Sequence, residues 1–197
     1  MKSIQGSRIG FLSCFLLFAL ANCGGGGGGG DDSSGGGVVA DFAATCLNTD
    51  SCSTNAVTSQ KGNAIGNIVE VQLWLNKTGT TIGAAQLDVS FDPTVAEYQD
   101  YTEGPALGSS PGTTYLVTPS PGEVLVSIAP PVGGKILSSK AVMVTLTFKL
   151  KKTTAGSNFS FIGPDTLDGS ALYGLLPPGN IILLTPGKWT GGLFTGM

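Results

Sequence analysis

The sequence predicts an all-β protein, one domain of two antiparallel sheets packed face to face. Three observations carry this. From Val38 onward, apolar and polar residues alternate with period two in one segment after another. Gly, Pro, Asn and Asp punctuate those segments at short intervals, and helix signals are scarce. Each segment has one apolar face, and two sheets covering one another is the economical way to bury such faces.

The elements follow in order. In NIVEVQLWLNK, Val69, Val71, Leu73 and Leu75 take the core side, and Glu70, Gln72 and Trp74 the other. GAAQLDVSFDP repeats the pattern, with Ala85, Leu87, Val89 and Phe91 inward and Ala84, Gln86, Asp88 and Ser90 outward. Asp92-Pro93 ends that strand, because proline cannot donate to a ladder. A turn over residues 94–96 is the single helical allowance. TTYLV is followed by the turn PSPGE and then VLVSIA, which puts Val124, Val126 and Ile128 on one face. AVMVTLTFKLK has the longest alternation: Val142, Val144, Leu146, Phe148 and Leu150 inward, Met143, Thr145, Thr147 and Lys149 outward. SNFSFI is short. PDTLDGSALYG reads as a hairpin turn, since it lacks the further oxygen ligands of a calcium loop. NIILLTPGKWTGGLF closes the domain as two strands or one bent strand. The total is roughly eight or nine strands.

The region before this domain reads as an address. Lys2 and Arg8 precede the apolar stretch 9–21, which suits a signal peptide (residues 1–22) and is short for a bilayer span. LANC, ending at Cys23, resembles a bacterial lipobox, in which the cysteine receives a diacylglycerol. Asn22 departs from the usual small residue there, and ALA at 19–21 would also serve an ordinary signal peptidase. The glycine run decides for lipid. Residues 23–37 have almost nothing to bury, so they form a tether, and its 14 residues after Cys23 span roughly 20 Å. Such a leash fits between a membrane and a domain spanning 38–197. No Asp directly follows Cys23, which favours the outer membrane over inner-membrane retention.

Composition excludes several classes. Charged residues are 12% of the chain and the formal charge is −3. Lys149, Lys151 and Lys152 are the densest basic group, so nucleic acid is a poor partner. Histidine is absent, which removes the usual serine triad and the commonest metal ligand. Cys46 and Cys52 sit in CLNTDSC. In an oxidising compartment a disulfide between them is expected, and neither CxxC nor further ligands argue for zinc or redox work. Asp88 and Glu70 could act as a glycosidase pair only if their strands were neighbours on one face. No enzyme activity, metal or cofactor is expected.

The order of these stretches resembles a cohesin domain, the jelly-roll module by which bacterial surface scaffolds bind dockerin-bearing enzymes. The resemblance runs over residues 55–197. It is carried by IVEVQLWLN, by TTIGAAQLDVSFDPTVAEYQDYTEGPAL with Phe91, Asp92, Pro93, Val95 and Gly104, by PGEVLVSIAPP, by KAVMVTLTFKLKKTTAGSNFSFI with Leu146, Phe148, Lys151 and Ala155-Gly156, and by a terminal WTGG. It implies a nine-stranded sandwich of the carbohydrate-binding-module group that binds a protein through one sheet face and has no catalysis. The partner face it implies holds Gln86, Asp88 and Ser90, with Leu125 and Ser127 on a nearby strand. Cohesins that bind dockerin often carry Asn and Asp where Ala84 and Gln86 stand here, so the expected partner is dockerin-like or another surface protein. Polysaccharide is the alternative, and a structural envelope role a third. Trp74 and Tyr115 are the candidate exposed aromatics for either ligand. Packing is the favoured reading of both, with Trp74 covered by the segment 38–57.

Overall fold

The computed structural model describes residues 37–46, 54–177, 179–185 and 188–197. Cys23, Cys52 and residues 1–36, where the expected signal peptide and most of the expected tether fall, lie outside them, so the expected lipid attachment and Cys46–Cys52 pairing do too. Thirteen strands and no helix form the described part.

The smaller sheet has the order β12 (Trp189–Thr190), β2 (Val57–Ile65), β3 (Ile68–Leu75), β8 (Ala141–Leu150) and β5 (Ala96–Glu103). Only the β12–β2 contact is parallel. The larger sheet is built around β4 (Ile82–Phe91). One edge of β4 pairs with β7 (Glu123–Ala129), which carries β6 (Thr114–Ser120) beyond it. The opposite edge is shared by two strands in succession. Residues 89–91 of β4 pair with β9 (Thr154–Phe161), and residues 82–86 pair with β10 (Ala171–Leu176). Beyond β9 lie β13 (Gly192–Gly196) and β1 (Ala40–Ala44), and beyond β10 lies β11 (Asn180–Leu184).

This is the two-sheet sandwich that period-two alternation predicts. The inward rows of β3, β4, β7 and β8 fill the space between the sheets: Val69, Val71, Leu73 and Leu75 face Leu87, Val89, Val124 and Val126, all fully buried. Phe148 ties the sheets together, with Phe91, Tyr98, Phe159 and Phe194 around its ring at centroid distances of 5.1 to 6.0 Å.

Several expectations need correction. Met143 is fully buried, not outward, and Val142 is only half-buried. The β3–β8 register runs Leu73↔Val144 and then Trp74↔Val142, so Met143 is an extra residue in a bulge that reverses the alternation. The strands β1, β2, β5 and β10 lie outside the sequence expectation. AEYQDYTE and VTSQKGNAI are too polar to announce themselves, yet both pair along most of their length. The 94–96 allowance is a turn, closed by Val95 and Ala96 N–H groups donating to the Asp92 carbonyl.

PDTLDGSALYG is not a hairpin turn. β9 and β10 both run antiparallel to β4 along the same edge, Phe161 opposite Val89 and Ala171 opposite Gln86. Residues 162–170 are an excursion between them. The loop folds on itself so closely that a Cβ on Gly169 would lie 2.6 Å from the Gly163 carbonyl oxygen.

Candidate functional site

The residues singled out on β4 and β7 come together. The β4–β7 register sets Gln86 opposite Ser127, Asp88 opposite Leu125 and Ser90 opposite Glu123. The β6–β7 register continues these rows to Leu116, Thr118 and Ser120. On the far side, Ser160 of β9 lies opposite Ser90, and their hydroxyls are 2.9 Å apart. Across β9, β4, β7 and β6 the outer face of the larger sheet is therefore one surface of mainly small and polar side chains with Leu116 and Leu125 among them. A shallow depression of about 500 Å³ adjoins it, lined by Ser90, Asp92, Gly156, Asn158 and Ser160.

Asp88 departs from the exposed role expected of it. Period two does place it on the outer side, but only 7% of it is exposed. The excursion 162–170 accounts for this. Where β4 loses its neighbour between β9 and β10, the loop supplies the missing bonds. The Ser170 hydroxyl donates to the Asp88 carbonyl at 2.8 Å and accepts from the Asp88 N–H at 3.0 Å. Ile162 N–H donates to the same carbonyl at 2.8 Å, and the Gln86 amide donates to the Gly169 carbonyl at 2.9 Å. The loop thus closes over the backbone of Asp88. Burial, with the neighbouring Glu123 carboxylate next in importance, pushes the Asp88 carboxyl up to about 6.

Neither candidate aromatic is a free platform. Tyr115 is half-buried and faces the core side of β6, opposite Ile128. Its hydroxyl reaches the carbonyls of Gly104, Gly108 and Met143 at 3.0, 2.8 and 3.2 Å, so it pins the loop after β5 to the bulge of β8. Burial pushes the phenol up to about 12, which keeps it a donor. Trp74 lies half-buried on the outer face of the smaller sheet and donates to Gln72 at 3.1 Å. In the next row the Gln60 amide donates to the Cys46 carbonyl, so the chain leaving β1 passes this face. Trp189 packs edge-on against Phe161 and donates to the Asp165 carboxylate at 2.8 Å.

Glu123, Leu116, Thr118 and Ser160 belong to the same face and were not among the predicted residues. Alternation extended from Leu125 to Glu123, and from Tyr115 to Leu116 and Thr118, would have found three of them. Glu70 and Asp88 lie on different sheets, so they do not form a carboxylate pair.

Comparison with known proteins decides the family. Residues 53–172 match the cohesin domain family. The chain belongs to it. Solved cohesins share the fold at low identity. The seventh ScaB type I cohesin from Pseudobacteroides cellulosolvens superposes with a TM-score of 0.53 at 19% identity, over 70% of this chain and 88% of that one. A type II cohesin domain from the cellulosome of Acetivibrio cellulolyticus gives 0.53 at 17% identity, over 72% and 94%. The sixth cohesin of scaffoldin B from the same organism, solved in complex with a Cel5 dockerin mutant, gives 0.52 at 18% identity, over 77% and 96%. A search of curated proteins finds no match.

Proposed function

We propose that this cohesin is a non-enzymatic binding module that takes a protein partner on the outer face of β9, β4, β7 and β6, and that a lipid on Cys23 holds it at the cell surface. One observation carries the reading: Gln86, Ser90, Leu125 and Ser127 converge on one open sheet face in a chain of this family. Another member of the family is solved in complex with a dockerin, and a dockerin-like partner is the natural extension. A polysaccharide ligand is less well supported, because the described Trp and Tyr side chains supply no planar row on this face.

The test uses the full exported chain as bait against an extract of its own cells, with insoluble polysaccharides alongside. Thr118→Tyr with Ser127→Tyr adds bulk to the middle of the face without adding charge. These are surface positions, so stability should change by no more than about 0.5 kcal/mol. Capture of the partner should fall on the order of tenfold or more. Unchanged capture by the folded double variant would move the site elsewhere. For the anchor, Cys23→Ala should release the protein from membranes, and intact mass should show an acylated Cys23. A lipid-free mature chain starting at Asn22 would refute the anchor.

A further inference from the structure

Asp88 is unlike the other polar residues of the face. The residue is more than nine-tenths buried, and its Oδ1 is buried with no hydrogen-bond partner. The group that its carboxyl does meet is Glu123, a second carboxylate on β7. A buried carboxylate normally has a cation or several donors for company. Here the strands around it offer no cation, and no donor reaches Oδ1. β4, β6, β7 and β9 contain no lysine or arginine. The excursion 162–170 adds only Asp165 and Asp168 as charged residues, and Asp165 is engaged by Trp189. The lysines of the described residues lie on the other sheet and in loops, for example Lys61 bound to Asp41 and Lys151 beside Glu97. The face is therefore acidic at one place, and its own chain leaves that place uncompensated.

We propose that Asp88 and Glu123 together form the receptor for a basic side chain, lysine or arginine, of the protein that docks on this face. This rests on the reading of that face as the partner surface. The chemistry favours a side chain over a metal. Calcium takes six to eight oxygens, and the described residues hold no group of three acidic or metal-ligating side chains. A guanidinium or ammonium is satisfied by two carboxylates side by side, and the guanidinium fork matches them best. Charge repulsion within the pair is relieved when the cation arrives, so attraction to the partner and loss of self-repulsion act together. A proton competes for the same place. With the Asp88 carboxyl raised to about 6, the receptor has the Asp88 charge above that pH and loses that charge below it.

The test is direct observation of the carboxyl groups by carbon-detected NMR of the full chain, labelled at Asp and Glu. Nα-acetyl-argininamide is the probe, and its neutral isostere Nα-acetyl-citrullinamide is the control. The arginine probe should move the Asp88 and Glu123 carboxyl resonances and lower the Asp88 midpoint from near 6 by about one pH unit at saturation. The citrulline probe should leave both in place, and Glu123→Gln should abolish the response. Equal shifts from both probes, or equal shifts at Asp41 and Asp100, would overturn the proposal. So would a response of the pair to calcium with none to argininamide. The partner assay separates this proposal from the one beneath it. Capture lost in Thr118→Tyr/Ser127→Tyr but unchanged in Glu123→Gln keeps the face and removes the receptor. Capture unchanged in both removes the face, and the receptor with it.

Discussion

At the scale of the residue, Asp88 stands on the face proposed for the partner and carries a charge that works against folding. Its carboxyl is raised above the ordinary aspartate value by burial and then by Glu123. A carboxyl raised in the folded state binds its proton more tightly there than in the unfolded chain. Its contribution to stability is complete below about pH 4 and is lost as pH rises through about 6. At neutral pH the ionised pair works against the fold. Asp88→Asn removes that charge and gives Glu123 an amide donor. Denaturant titrations at pH 7.5 should therefore find the variant more stable than wild type, by on the order of 1 kcal/mol. The two should converge below pH 4. A variant less stable at both pH values would mean that Asp88 holds the fold through contacts its charge does not explain. Tyr115 is the opposite case, a side chain that serves structure alone. Its hydroxyl meets three carbonyls, two in the loop after β5 and one in the bulge of β8. Tyr115→Phe leaves them without that donor, and a loss of about 1–3 kcal/mol is expected at all pH values below its own titration.

At the scale of the element, alternation made some strands legible and concealed others. β3 and β4 follow period two closely, so their core residues could be read directly from the sequence. β8 does so until Met143, where one inserted residue reverses the parity, and nothing local in AVMVTL marks the bulge. The burial of Asp88 was equally unreadable, because the hydroxyl that closes over it belongs to Ser170, 82 residues away. β11 poses a different problem. Ile181, Ile182 and Leu183 are exposed, one edge of the strand pairs with β10, and no strand covers the other edge among the described residues. The strand carries no charge, proline or bulge to discourage edge-to-edge pairing. Ile181→Lys, at 68% exposure, should reduce self-association in light scattering at high concentration and leave the melting temperature almost unchanged. A wild-type chain that stays monodisperse under the same conditions would show that this edge is already protected.

At the scale of the whole molecule, the sheets were legible as a class but not in their assembly. The long-range pairings of β1 with β13 and of β12 with β2 join segments more than a hundred residues apart, and no periodicity records a partner. What does unify the sandwich is a set of phenylalanines spread through the sequence. Phe148 stands on β8 in the smaller sheet, and its neighbours Phe91, Phe159 and Phe194 stand on β4, β9 and β13 in the larger one. Tyr98 of β5 completes the ring of contacts. Truncating Phe148 would thus remove packing from both sheets at once and leave a cavity that neither can fill alone. Phe148→Ala should cost about 3–5 kcal/mol, a large share of the roughly 5–15 kcal/mol that stabilises a domain. Phe148→Leu, which keeps most of the volume, should cost clearly less. Phe148 packs against both sheets, so the loss should appear as a single cooperative transition moved to lower denaturant, seen alike by the fluorescence of Trp74 and Trp189 and by far-ultraviolet circular dichroism. Two separate transitions in Phe148→Ala would mean that the sheets hold themselves independently, against the packing described above.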